Sequence, residues 1–170
     1  MRVAIVHDWL LRMRGGERCL EVLCGMFPEA DIFTLFYDPN GIVPIIREHK
    51  IVPSCLDYIP YARRVHAHLL PIYPIGVADL KWSLAIHHQE KPYDAVISIS
   101  HCAAKNVQVP ENVPHICYCL SPMRYAWDQY DVYFGRKKLE PVIRRIIGRL
   151  REWDVKHSAG VSHFVGISSF

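Results

Sequence analysis

Short apolar runs alternate with amphipathic stretches along this chain, and the alternation predicts a parallel α/β fold. Residues 2–6 read as a strand buried on both faces, because the apolar run is continuous rather than alternating. From Glu17 the apolar positions fall at Leu20, Leu23, Cys24 and Phe27, a helical rhythm that Pro28 ends. Residues 31–36 are strand-like, and residues 37–41 carry the Asp-Pro-Asn-Gly composition of a turn. Strand, helix and strand in such quick succession form the βαβ unit of a parallel sheet. Residues 39–74 hold six of the twelve prolines, which argues against long helices there; short ones are expected at 61–70 and 77–88.

Residues 94–100 and 115–120 are the next expected strands, and residues 163–167 the last. Between them, residues 139–153 give the strongest helical pattern. Leu139, Val142, Ile143, Ile146, Ile147, Leu150 and Trp153 fall on one stripe. Ser168 and Ser169 would suit a helix N-cap, yet the chain ends at Phe170; truncation of a longer parent at a domain boundary is the expectation. The fold class expected is α/β, Rossmann-like, a mostly parallel β-sheet with helices on both faces, in one domain over residues 1–170.

Composition agrees with one soluble globular unit. The chain has 170 residues, 51% of them hydrophobic and 22% charged, which excludes a disordered tail, a collagen and a coiled coil. Twenty Lys and Arg against 17 Asp and Glu leave +3, too little to argue for a nucleic-acid partner. No run of about 18 apolar residues exists to span a bilayer. The first apolar run is shorter than the roughly 7–15 residues of a signal-peptide core, so cytoplasm is the expected compartment. The six cysteines form no C-x-x-C pair, so reduced, buried thiols are expected, with Cys117 and Cys119 on one side of their strand. The ten histidines lack H-E-x-x-H spacing, and no metal site is expected.

Several residues stand where α/β proteins bind ligands, just beyond strand ends. Gly15 and Gly16 lie between the first strand and its helix, where backbone can approach a ligand and helix N–H groups can meet an anion; an ordinary loop is the alternative. G-x-G-x-x-G and G-x-x-x-x-G-K-[ST] are both absent, which removes the main support for dinucleotide or P-loop binding. His101 follows a strand directly and could bond a hydroxyl or phosphate. His7 and Asp8 share that geometry, Asp8 as an acceptor for a sugar hydroxyl or as a loop cap.

The stretch Ser121, Pro122, Met123, Arg124, Tyr125, Ala126, Trp127, Asp128 is dense in recognition side chains. Arg124 suits phosphate, and Tyr125 and Trp127 offer stacking faces. Alternatively the aromatics plug the core edge while Arg124 pairs with Asp128 across one helical turn. Residues 136–151 carry seven of the twenty positive side chains: Arg136, Lys137, Lys138, Arg144, Arg145, Arg149 and Arg151. Only Glu140 opposes them. The apolar stripe beneath should face the protein and the charges outward, either as a solvated face or toward anionic lipid.

Taken together, the opening nine residues, Arg14-Gly15-Gly16-Glu17, Ser98-Ile99-Ser100-His101-Cys102-Ala103-Ala104-Lys105, Cys117-Tyr118-Cys119-Leu120-Ser121-Pro122 with Met123-Arg124-Tyr125-Ala126-Trp127-Asp128, and the closing Phe164-Val165-Gly166-Ile167-Ser168-Ser169-Phe170 resemble the amino-terminal half of a bacterial glycosyltransferase family 4 enzyme. The resemblance spans essentially the whole chain. It implies one half of a GT-B fold, in which the amino-terminal domain holds the acceptor and a carboxyl-terminal domain, absent here, holds the nucleotide-sugar donor through paired glutamates. It implies no metal and no cofactor beyond the donor substrate, and transfer with retained anomeric configuration. The substrate-binding residues implied are Asp8, Gly15, Gly16, Glu17, Ser121, Arg124, Tyr125, Trp127 and Asp128.

Relatives often carry histidine in a His-Thr-Pro context where Leu120-Ser121-Pro122 stands here, which leaves His101 as the catalytic candidate. The implied partners are a sugar or lipid-linked sugar acceptor, the donor through the second domain, and the inner membrane through residues 136–151. Cell-surface polysaccharide or lipopolysaccharide assembly is the expected setting, and the isolated chain is expected to be inactive. A non-catalytic Rossmann-like binding or membrane-docking module is the alternative.

Overall fold

The computed structural model describes residues 1–134 and 140–167. Among them six strands form a single sheet: β1 (Val3–His7), β2 (Asp31–Thr34), β3 (Ile51–Pro53), β4 (Ala95–Ser100), β5 (His115–Cys119) and β6 (His163–Gly166). Every pairing is parallel and the order is β3-β2-β1-β4-β5-β6. This is the Rossmann-like α/β fold. β1 is buried at every position, as a central parallel strand with both faces covered must be.

The helices are α1 (Gly15–Met26), α2 (Pro44–Arg47), α3 (Ala62–Val65), α4 (Tyr73–Glu90), α5 (Tyr130–Phe134) and α6 (Glu140–Ser158). Two apolar layers sandwich the sheet. Val3, Ile5, Ile32 and Ile99 meet Leu20 and Cys24 of α1 and Ile46 of α2 on one face. Ala4, Val6, Phe33 and Val96 meet Leu80 and Leu84 of α4 and Ile147 and Leu150 of α6 on the other.

Several boundaries differ from the sequence expectation. α1 begins at Gly15, so the glycine pair forms its first turn rather than a preceding loop; the Glu17 carboxylate accepts the Arg14 N–H at 3.0 Å and caps that turn. α4 starts at Tyr73, because Pro74 suits a first helical turn that needs no donor. It continues a helical stretch, Ala62–Glu90, that reaches a mean hydropathy of 1.2. Tyr73, Val77, Leu80 and Leu84 of that stretch pack in the core, while Ile75, Trp82 and Ile86 of the same stretch are exposed. The edge strand β3 carried no periodic signal in three residues.

On α6, Ile147 and Leu150 are buried as expected, but Val142 and Ile146 of the stripe are exposed. Leu139, Arg136, Lys137 and Lys138, together with Ser168 and Ser169, lie outside the described residues. The six cysteines are free thiols, and only Cys24, Cys102 and Cys117 are buried; Cys55 is exposed, which corrects the expectation of uniformly buried thiols.

Candidate functional site at the sheet switch point

Because all six strands run in one direction, their carboxyl ends share one edge of the sheet. The chain leaves β1 toward β2 on one side and later returns to β4 on the other. The gap between β1 and β4 is therefore the topological switch point, the place where open parallel sheets bind ligands. Asp8 follows β1 and His101 follows β4 directly.

Asp8 is fully buried and its carboxylate is heavily engaged. It accepts the backbone N–H groups of His101 (2.7 Å), Cys102 (3.0 Å), Ala103 (2.6 Å) and Ala104 (2.7 Å). Four consecutive N–H groups wrapped around one anion form a nest, here filled by the protein's own side chain. Burial works to raise the Asp8 pKa, but His101 and these N–H bonds outweigh it and hold the carboxyl below its ordinary value.

The same carboxylate lies 3.0 Å from His101 Nδ1. A carboxylate only accepts, so Nδ1 carries the hydrogen and a neutral His101 leaves Nε2 as an acceptor. The His101 side chain is 23% exposed, and the Trp9 ring meets its ring edge-on at 4.5 Å. Trp9 in turn stands 5.1 Å from the His66 ring and 6.2 Å from the Tyr73 ring. Asp8 thus orients His101 while Trp9 walls it.

His7 stands on the α1 face. Its Nδ1 lies 3.0 Å from the Trp9 carbonyl and must donate there, so Nε2 is bare; it is buried with no partner. Burial lowers the His7 pKa and keeps the ring neutral. A Cβ on Gly16 would stand 3.2 Å from both His7 Nε2 and Leu120 Cδ1, so a side chain there requires those two neighbours to give by a few tenths of an ångström. Gly15 faces open space instead. Glu17, nearly buried, caps α1 from within. Ser121 Oγ donates to the His101 carbonyl at 3.4 Å, and Leu120 N–H donates to the Ser100 carbonyl at 2.8 Å, which brings the end of β5 to the same edge.

The aromatic-basic segment after β5 is anchored elsewhere. Met123 and Ala126 are buried and Tyr125 packs against the α4–α6 core. Trp127, 37% exposed, donates Nε1 to Asp154 on α6 at 3.1 Å. Arg151 Nε donates to the Ala126 carbonyl at 2.6 Å, and its guanidinium lies 5.4 Å from the Trp127 ring. Arg124 and Asp128 are exposed, and among the described residues no ion pair joins them. The structure therefore brings Gly16, His101 and Ser121 to one edge of the sheet around the buried Asp8 and His7, whereas Glu17 is buried at the start of α1 with its carboxylate on the Arg14 N–H. Trp127 is tied instead to Asp154 on α6, and Arg124 and Asp128 are exposed beyond that group.

Asp154 is buried and also takes Lys105 Nζ and Asn106 Nδ2, the latter at 2.7 Å. Lys105 Nζ additionally donates to the Cys102 carbonyl at 3.2 Å, so the loop that wraps Asp8 is pinned from behind by α6. Sequence reasoning missed this group and Trp9. The available signal was Asp154 itself, which continues the Ile143–Ile147–Leu150 stripe by one turn; a carboxylate on a buried stripe requires a buried partner. No family model matches the chain, and no curated protein matches it.

Proposed function

We propose that this chain is the acceptor-side domain of a retaining glycosyltransferase with a nucleotide-sugar donor, acting in cell-surface polysaccharide or lipopolysaccharide assembly at the cytoplasmic face of a membrane. The observation that carries the reading is the Asp8–His101 pair at the switch point, beside the close approach of Gly16 to His7. His101 Nε2 is a fixed acceptor for a hydroxyl of the acceptor sugar beside the attacking one, which would orient the sugar and leave the attacking hydroxyl's proton free to pass to the diphosphate. Ser121 Oγ and the first turn of α1 line the same edge. Arg124, solvated and unburdened by a core role, would meet the donor diphosphate from the second half of the enzyme.

The new bond forms between the acceptor oxygen and the anomeric carbon as the bond from that carbon to the diphosphate breaks. The electron pair leaves with the diphosphate, which takes up the hydroxyl proton. Positive groups and helix N-termini offset the charge that develops there. No metal or further cofactor enters this scheme. A lipid-linked acceptor would be met at the membrane through the basic face of residues 136–151, of which Arg144, Arg145 and Arg149 are exposed.

The test is a transfer assay with nucleotide sugars. The chain joined to a donor-binding domain transfers sugar, and loses transfer on His101→Ala; the 170-residue chain alone does not turn over. Turnover by the purified chain alone would refute the assignment.

A further inference from the structure

Residues 58–68 combine three features on one stretch of surface. Tyr58 and Tyr61 are 78% and 76% exposed, with Ile59 and Val65 exposed between and after them. No acidic residue occurs between Asp57 and Asp79, and Asp57 is buried and spent on Arg63, whose Nε and Nη2 donate to it at 2.8 and 2.7 Å. Arg64 and His68 are exposed. The third feature is backbone strain. Tyr61 has φ 63° and ψ 3°, the left-handed region, which a bulky side chain adopts at a cost and glycine would adopt freely. Tyr61 caps α3, its carbonyl accepting the Arg64 N–H at 2.9 Å, and this geometry turns its ring outward to solvent.

The neighbouring surface has the same character. Ala67, His68, Leu70 and Pro71 form a seam with Ile143, Ile146 and Ile147 of α6. Beyond it the exposed Val142 and Ile146 alternate with exposed Arg145 and Arg149, and no acidic residue occurs between Pro141 and Arg151. Exposed tyrosines and aliphatic side chains beside exposed arginines match the interfacial zone of an anionic bilayer, where rings sit at headgroup level and cations meet phosphates.

We propose that residues 58–68 are the membrane-inserting element of this protein, docking onto an anionic phospholipid surface with α6 beside it. This deepens the membrane contact of the proposed function, which placed it on α6 alone, and is independent of sugar transfer. The element also reaches the β1–β4 edge: the His66 ring lies tilted 5.1 Å from the ring of Trp9, which meets His101 edge-on.

The experiment is co-sedimentation of the whole chain with vesicles of phosphatidylcholine alone and with phosphatidylglycerol added. The chain is expected to bind the anionic vesicles at least tenfold more strongly. Tyr58→Ser with Ile59→Ser should reduce that binding at least tenfold. Tyr61→Gly is the control for folding, because it removes the ring and relieves the left-handed strain; it should bind more weakly while unfolding at an equal or higher temperature. If the loop variants bind like the parent while Arg145→Glu with Arg149→Glu does not, the loop assignment is overturned and contact through α6 stands. Absence of binding, or binding indifferent to phosphatidylglycerol, overturns both. Neither result bears on the transfer assay.

Discussion

His101 Nδ1 and Asp8 Oδ2 lie 3.0 Å apart across the gap between β4 and β1, although the two residues are far apart in sequence. The carboxylate that orients the imidazole is the same one that gathers the backbone of residues 101–104. One buried charge therefore builds the loop and fixes the ring it presents, so ring orientation and loop order should fail together.

Replacing Asp8 tests that coupling. Asp8→Ala strands four backbone donors in the interior and should cost about 3–5 kcal/mol of unfolding free energy. Asp8→Asn keeps the volume but replaces one acceptor oxygen with a donor, and should cost less. Hydrogen exchange should accelerate first at residues 101–104. Urea denaturation with exchange detected by mass spectrometry reads both effects; protection retained there in Asp8→Ala would show that the carboxylate does not organise the loop.

The glycine pair should respond asymmetrically. Gly15 faces open space, so Gly15→Ala should stabilise α1 by about 0.5 kcal/mol through helix propensity. Gly16→Ala presses on His7, which is held by the Trp9 carbonyl, and should cost on the order of 1 kcal/mol. Thermal unfolding of the two variants separates a packing glycine from a merely permissive one.

The ion pair behind the loop should behave as a buried pair does. Lys105→Met alone leaves the Asp154 charge buried with Asn106 and Trp127, and should cost about 3–5 kcal/mol. Lys105→Met with Asp154→Leu should recover much of that loss, since both charges are gone. A double-mutant cycle by denaturation measures the coupling; strictly additive losses would mean that the pair is not a unit.

Acid should weaken the fold through His115. Burial pushes its imidazole down to about 4, and its Nε2 lies 2.8 Å from Ser98 Oγ. Between the ordinary histidine value of 6.5 and about 4, the unfolded chain takes up the proton and the folded chain does not. The stability is thus fully present above the unfolded value and declines as pH falls, approaching about 3 kcal/mol of loss from this residue, at ~1.4 kcal/mol per pKa unit. His7, also lowered by burial, adds in the same direction. Urea midpoints at pH 7.5 and 4.5 should drop less for His115→Gln than for the parent; equal drops would remove His115 as the cause.

Much of this architecture was legible in the sequence, for identifiable reasons. β1 announces itself because a central parallel strand is buried on both faces and reads as a continuous apolar run, and β4 and β5 because short β-branched or apolar segments are bounded by polar loops. α6 announces itself because its stripe is one-sided over many turns. β3 is too short to establish a period, and only the start of α4 hid behind its early prolines, which a first turn tolerates. Of the site, the strand-end positions of Asp8 and His101 were legible, but not that they meet, since that depends on strand order. Nor does spacing reveal that Trp127 belongs to Asp154, or that Tyr61 is held left-handed.

The most direct test of the central claim is an amide chemical-shift titration of the chain with methyl glycosides of the common hexoses at millimolar concentration. A sugar-acceptor crevice at the switch point predicts shifts concentrated at Gly16, His101, Cys102 and Ser121, with the His101 ring nitrogens moving and the shifts lost in His101→Ala. Shifts confined to other faces of the molecule, with those four amides unmoved, would contradict the assignment of this crevice as the place where sugar is held.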